Sequence, residues 1–187
     1  MFPQGRIRSG GGGQRIATTI IAGRHRGLKL RESTDQSIRP TQARVRKSLF
    51  QRLEPWSGRE VCDLYAGIGS VGIEALSRGA EKVTFIDNSP VALAILRNNL
   101  SRAHEHEAIV VEADALEFLL STTETFDVVM ADPPYGSVTW ELLRERCVRV
   151  LKKGGFLVME MESKASLPGG VDVRQYGKSK IAILRLG

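Results

Sequence analysis

Cysteine is scarce: Cys62 and Cys147 are the only two thiols in 187 residues. They lie far apart, each inside an apolar pattern, and neither belongs to a zinc-type spacing. A disulfide framework and a zinc module are thereby excluded, and both thiols are expected in a core within a reducing compartment. Long apolar runs are also missing, and nothing approaches the length of a membrane span. The opening stretch, Met1 to Arg15, is Gly-rich and basic and lacks the apolar centre of a secretory signal. The three histidines include His104 and His106, in a charged segment better suited to a solvated loop than to a metal. No internal repeat occurs. What is present suits one domain with a real core and a small appendage, since 42% of the residues are hydrophobic. The expectations are a cytoplasmic location, no membrane association, and a monomer, because no long unpaired apolar face is evident.

The formal net charge is +6, but it is unevenly spread. Residues 1–60 hold 13 Lys and Arg against 4 Asp and Glu, a balance of +9. Residues 61–187 hold 14 against 17, a balance of −3. A polyanion held by the first third is the natural reading.

Residues 1–14 are expected to form a flexible basic tail, and residues 15–57 a hairpin and helix that extend a larger domain of residues 58–187. In the extension, Ile16 to Ile21 is β-prone, and Gly23 and Gly27 bracket a turn carrying Arg24, His25 and Arg26. Gly27-Leu28-Lys29-Leu30 alternates as the return strand. A tip with three potential cations suits phosphates, although a plain surface turn has the same composition. Ile38-Arg39-Pro40-Thr41 then leads into a helix, with Thr41 as N-cap and Val45, Leu49, Phe50 and Leu53 as its apolar stripe. Arg44, Arg46 and Lys47 lie off that stripe.

From Val61 onward strands and helices alternate. Strands are expected at Val61–Tyr65, Lys82–Ile86, Ala108–Val111, Phe126–Ala131 and Phe156–Met161. Helices fall between them, the last one at Trp140–Leu151 closed by Lys152-Lys153-Gly154-Gly155. This succession calls for a parallel sheet with right-handed crossovers and helices on both faces. Val171–Tyr176 and Lys180–Leu186 are joined by too few residues for a helix, so they pair as an antiparallel hairpin.

After the first strand comes Asp63-Leu64-Tyr65-Ala66-Gly67-Ile68-Gly69-Ser70. The two glycines let the backbone approach a ligand at a helix N-terminus. Asp87 ends the second strand, where a carboxylate can hold both hydroxyls of a ribose. Gly72 completes a G-x-G-x-x-G, which read literally is a dinucleotide fingerprint, but that pattern alone is weak. Asp63 stands close to the loop, and Asp114 follows the third strand, where it can meet an exocyclic amine of adenine. Three acids at successive strand ends disfavour a pyrophosphate and suit a cationic adenosine ligand. S-adenosylmethionine has that chemistry.

Asp132-Pro133-Pro134-Tyr135 ends the fourth strand. The Asp132 carboxylate and the Pro133 carbonyl can each accept one N–H of an exocyclic amine, turning its lone pair toward a methyl donor. The prolines fix the carbonyl direction and Tyr135 can stack on a flipped base. Adenine and guanine both carry such an amine.

Together these residues resemble the class I S-adenosylmethionine-dependent amino-methyltransferases. A narrower likeness lies in Ile20-Ile21-Ala22-Gly23-Arg24-His25-Arg26-Gly27-Leu28-Lys29-Leu30, in Ile38-Arg39-Pro40-Thr41, in Gly72–Ala80 and in Tyr176-Gly177-Lys178-Ser179-Lys180. These resemble the RsmD family of bacterial 16S rRNA guanine-N2 methyltransferases. The resemblance implies an α/β, Rossmann-like domain: a seven-stranded, mostly parallel sheet with an antiparallel C-terminal hairpin, plus an N-terminal hairpin and helix that help bind rRNA. It implies methyl transfer from S-adenosyl-L-methionine to N2 of one guanine in 16S rRNA of the small ribosomal subunit. It assigns cofactor contacts to Asp63, Tyr65, Ala66, Gly67, Gly69, Asp87, Asn88, Asp114 and Ala115. Substrate contacts fall to Asp132, Pro133, Pro134 and Tyr135, and RNA contacts to Arg24, His25, Arg26, Lys29, Arg39, Thr41 and Arg44. Relatives often carry Tyr-Gly-Asp-Thr where this chain has Lys178-Ser179. A DNA adenine-N6 methyltransferase is the alternative with the same chemistry. A NAD-dependent enzyme and a non-catalytic RNA-binding module are the alternatives from other classes.

Overall fold

The computed structural model of the chain describes residues 18–32 and 43–187. The basic tail, the start of the first hairpin strand, and Arg39 and Thr41 lie outside the described residues. Seven strands form one sheet: β1 (Glu60–Leu64), β2 (Lys82–Asp87), β3 (Ile109–Glu112), β4 (Phe126–Ala131), β5 (Leu151–Glu162), β6 (Asp172–Tyr176) and β7 (Ser179–Arg185). Their spatial order is β3-β2-β1-β4-β5-β7-β6. The first five are mutually parallel, and β7 runs antiparallel to both β5 and β6. The order reverses between β1 and β4, so the crevice for a ligand opens at the carboxyl ends of those two strands.

The central strands are buried on both faces, which explains their near-continuous apolar sequences. Alternation sends Val61, Val128, Met130 and Val158 into one core layer and Cys62, Leu64, Val129 and Leu157 into the other. The first layer is covered by α1 (Ala43–Arg52), α2 (Ser70–Ser77) and α3 (Pro90–Arg102). The second is covered by α4 (Ala115–Ser121) and α5 (Trp140–Cys147). Both thiols are buried and free, and burial pushes the Cys147 thiol up to about 12. Among the described residues no helix is long and apolar enough to cross a membrane.

The N-terminal segment is not a separate body. Ile20, Leu30, Val45, Leu49, Phe50, Leu53 and Trp56 join the same core layer as Ile73 and Phe85. The expected hairpin is present in a short form. Thr19 bridges Lys29, Leu30 N–H donates to Thr18 O, and Gly27 N–H donates to Ile20 O. Its turn docks on the C-terminal end of α2, where Arg24 N–H donates to Ser77 O at 2.8 Å. A Cβ on Gly23 would fall 1.8 Å from that same carbonyl oxygen, and Gly23 has φ +82°. The close docking therefore requires glycine there.

One boundary differs from the sequence pattern. Lys152-Lys153-Gly154-Gly155 does not close a helix but belongs to β5. The helix stops at Cys147, and pairing begins at Leu151 opposite Phe126, with a register shift before Val128. The two glycines serve this irregularity: a Cβ on Gly155 would lie 2.8 Å from Lys152 O. Lys152 itself is held by Glu60 and Asp127.

Candidate active site

A cleft of about 1020 Å³ opens at the carboxyl ends of β1, β2, β4 and β5. The floor begins with the loop after β1. Tyr65 has φ +58° and Gly67 φ +54°. A tyrosine in that region carries strain of ~1–3 kcal/mol, a feature typical of functional loops. The loop enters α2 through Gly69, which has φ +82° and gives no side-chain cap. The N–H groups of Ser70 and Val71, at the start of α2, face the cleft for a ligand, while that of Gly72 is taken by Asp63.

Asp63 is buried at the end of β1 and accepts a hydrogen bond from Gly72 N–H at 2.9 Å. Burial pushes its carboxyl up to about 8, and the neighbouring Asp132 and Asp87 carboxylates push the same way, against the Gly72 hydrogen bond. Gly72 cannot be larger, because a Cβ would lie 2.2 Å from the Phe85 ring and 2.9 Å from Asp63 Oδ2. Asp87 braces the loop: Oδ2 accepts from Gly67 N–H and Oδ1 from Ser89 N–H, both at 2.8 Å. Each oxygen keeps a second lone pair for a ligand hydroxyl.

The far wall is Asp132-Pro133-Pro134-Tyr135. Tyr135 is 55% exposed, a large ring standing at the mouth. Its phenol is pushed up by burial and by Glu160, Asp132 and Glu162, which places those carboxylates around it.

The cleft gathers most of the expected cofactor and substrate residues. Asp63, Tyr65, Ala66, Gly67, Asp87, Asn88, Arg44 and all four residues 132–135 line it. Gly69 serves as the N-cap behind it. Asp114 and Ala115 are not part of its wall. Asp114 caps α4 instead, with Oδ1 accepting from Leu116 and Glu117 N–H, although it lies near enough to Tyr65 to push that phenol up.

The hairpin cations are not brought to the cleft. Arg24 and His25 both contact Glu105, at 2.5 and 2.6 Å. The tip sits at Ser77, the end of α2 opposite the cleft, about 12 Å along an eight-residue helix. Arg26, Lys29 and Arg31 are exposed along the hairpin, beside exposed Arg102 on α3, whose guanidinium donates to Lys29 O.

Glu160, Gln175, Tyr176, Gly177, Lys178 and Ser179 also line the wall, and sequence reasoning assigned none of them to the site. Only Glu160 carried a signal, an acid interrupting the apolar run Phe156–Met161. The turn between β6 and β7 reaches the cleft because Tyr176 Oη is anchored on Ser48 Oγ of α1.

A family model described as Conserved hypothetical protein 95 matches residues 18–185. The chain belongs to this family, the RsmD family. The match excludes the tail and includes the hairpin turn, the cleft and the C-terminal pair of strands. The ribosomal RNA small subunit methyltransferase D of Haemophilus influenzae is 40% identical over 121 residues, 62% of this chain and 63% of that protein. The Escherichia coli K12 protein of the same name is 35% identical over 142 residues, 75% of this chain and 70% of that one. A solved structure of a hypothetical protein from Thermus thermophilus superposes with a TM-score of 0.80 at 29% identity, covering 90% of this chain and 99% of that one. The fold is that of the Rossmann-like class I methyltransferases.

Proposed function

We propose that this chain is an S-adenosyl-L-methionine-dependent rRNA methyltransferase that modifies the exocyclic N2 amine of one guanine in 16S rRNA of the small ribosomal subunit. The observation that carries the reading is one cleft lined both by the Asp132-Pro133 pair, which can accept an amine, and by a glycine loop flanked by buried Asp63 and by Asp87. Family membership and relatives named for small-subunit RNA methylation support the substrate.

The donor set fits S-adenosylmethionine and not a dinucleotide. Asp63 and Asp87 would repel a pyrophosphate, while the free N-terminus of α2 beside Asp63 suits a group carrying both a carboxylate and an ammonium. Asp63 would hold the ammonium, Asp87 the ribose hydroxyls, and Tyr65, Ala66 and Asn88 the adenosine. Asp114 and Ala115 would meet the adenine edge, Asp114 through its second oxygen. When bound, the cofactor supplies an electrophilic methyl group on a positively charged sulfur.

The protein's own contribution is positioning. Asp132 and the Pro133 carbonyl take the two N–H groups of the amine, so its lone pair leaves the ring plane. Tyr135 stacks on the base, and the Asp132 carboxylate receives the proton that the methylated nitrogen must lose. RNA would lie over the exposed cations of the hairpin and α3 and reach the cleft past Arg44 and Lys178. Residues 18–57 act in this reading as an RNA-holding extension of the catalytic domain, and the enzyme works as a monomer in the cytoplasm.

Thermal shift with S-adenosylmethionine and with NAD, followed by methyl transfer onto small-subunit RNA and onto DNA, tests the reading. Stabilisation by S-adenosylmethionine and labelling of the RNA are expected. Stabilisation by NAD alone, or labelling only of DNA adenine, would overturn it.

A further inference from the structure

The wall of the cleft contains one acid that neither cofactor binding nor the amine clamp uses. Glu160 lies on β5, and its Oε2 is buried without a hydrogen-bond partner among the described residues. A buried acceptor left unpaired is costly, and a native fold keeps one when a ligand completes it.

Its placement follows from the sheet. Ala131 pairs with Met159 in parallel register, so Asp132, the first residue past the end of β4, and Glu160 on β5 follow that pair. Alternation puts both on one face. Val158 belongs to the core layer of α1–α3 and Met159 and Met161 to the opposite layer, so Glu160 returns to the α1–α3 side. By the same count Met130 lies on that side, Ala131 on the other, and Asp132 returns to it. Asp63, bonded to α2, is also there. Three carboxyl groups therefore lie on one side of the sheet, Asp63 on β1 at the level of Met130 and Val158, two residues before Asp132 and Glu160. Burial and the neighbouring Asp132 push the Glu160 carboxyl up to about 7, and the Ser179 hydroxyl opposes that shift. Tyr135 lines the same cleft as Glu160 and Asp132, so the ring and the two acids border one space.

A guanine placed there engages all three acceptors in one orientation. Its two amine hydrogens point one toward N3 and one toward N1, and the N1–H donor lies beside the latter. With the Pro133 carbonyl on the N3 side and Asp132 on the N1 side, the next acceptor beyond Asp132 meets N1–H. That acceptor is Glu160.

We infer that Glu160 is a specificity-determining residue whose free Oε2 accepts the N1–H of the target guanine, selecting guanine over purines that present a lone pair at N1. The inference rests on the reading of the cleft as a guanine-N2 methyl-transfer site. Adenine and 2-aminopurine both bring an acceptor to this position, where it faces an acceptor. Sites built around a buried hydrogen bond reject such partners strongly. The amine clamp alone does not make this distinction, so Glu160 adds the base identity that residues 132–135 lack.

The test uses small-subunit rRNA whose modified nucleotide has first been mapped by mass spectrometry. Guanine or 2-aminopurine is installed at that nucleotide by ligation, since both carry the N2 amine and only guanine carries N1–H. The wild-type protein is expected to favour guanine in kcat/KM by about 100-fold or more. Glu160→Gln offers an amide N–H to the N1 lone pair, so the preference should fall at least tenfold, with the 2-aminopurine rate rising in absolute terms. Calorimetric affinity for S-adenosylmethionine should be unchanged, which a merely misfolded variant would not satisfy. Equal wild-type rates on the two bases would overturn the inference without needing any variant. So would an unchanged preference in a folded Glu160→Gln protein. Absence of any methyl group on guanine N2 with the wild-type protein would remove the site reading beneath it.

Discussion

Asp63 concentrates the chemistry of cofactor recognition in one buried carboxyl. At pH 6 it is largely neutral, because its pKa is about 8. A cationic ligand needs it ionised. Affinity for S-adenosylmethionine is therefore expected to fall about tenfold per pH unit from pH 8 toward pH 6. The sign for stability is opposite. The unfolded carboxyl ionises near pH 4, so between pH 4 and 8 the folded state binds the extra proton and loses stability as pH rises. Asp63→Asn removes that dependence. Without cofactor it should raise the melting temperature at pH 8 by at least ~2–4 °C, corresponding to about 1 kcal/mol, while abolishing tight cofactor binding. Calorimetry and thermal melts across pH 6–8 check both. At the other wall, Asp132→Ala should reduce single-turnover methyl transfer by about 10²–10³ with cofactor affinity retained, read by quenched-flow labelling beside titration calorimetry. Equal loss of both would mean that Asp132 only supports the loop.

Elements set these residues in place, and they differ in how openly the sequence declares them. The parallel strands were legible because full burial demands apolar runs, and Asp87 and Asp132 mark where two of those runs stop. The C-terminal hairpin was legible from a three-residue join. The start of β5 was not. Lys152-Lys153-Gly154-Gly155 has the composition of a helix stop, and only pairing with Phe126 makes it strand. Glu160 was missed for a similar reason, since its meaning depends on Asp132 being its neighbour across the sheet. The hairpin tip had the right cations and a placement no local pattern reveals, because its docking depends on Glu105 and Ser77 far along the chain. Asp114 caps α4 through Oδ1, and the same residue type serves a cap and a ligand contact. Gly72, by contrast, fulfils its motif for a packing reason. Gly72→Ala pushes a Cβ into Phe85 and Asp63. It is expected to cost about 1–3 kcal/mol of stability and to weaken cofactor binding, measured by urea denaturation and calorimetry.

At the scale of the whole molecule, the charge imbalance of the sequence becomes a surface. Exposed Arg26, Lys29 and Arg31 of the hairpin stand with Arg102 of α3, which bonds Lys29 O, while the acids line the cleft. The two signs serve opposite ligands, a polyanion outside and a cation inside. RNA affinity should then fall steeply with salt. Four or five phosphate contacts give a slope of log K against log salt of about −3 to −3.5 for single strands. Replacing Lys29 and Arg31 with Gln should reduce the slope by about 1.4 and leave affinity for S-adenosylmethionine unchanged. A filter-binding series over salt concentration measures it, and an unchanged slope would move the RNA to another face.

The central claim is that this cleft places a methyl group on the N2 amine of guanine in small-subunit RNA. Nucleoside mass analysis tests it most directly. Small-subunit RNA lacking the mark is incubated with the purified protein and labelled S-adenosylmethionine, digested, and its nucleosides separated. N2-methylguanosine from a single site is expected, absent with Asp132→Ala. Label recovered as N6-methyladenosine, or label persisting at full rate without the Asp132 carboxylate, would contradict it.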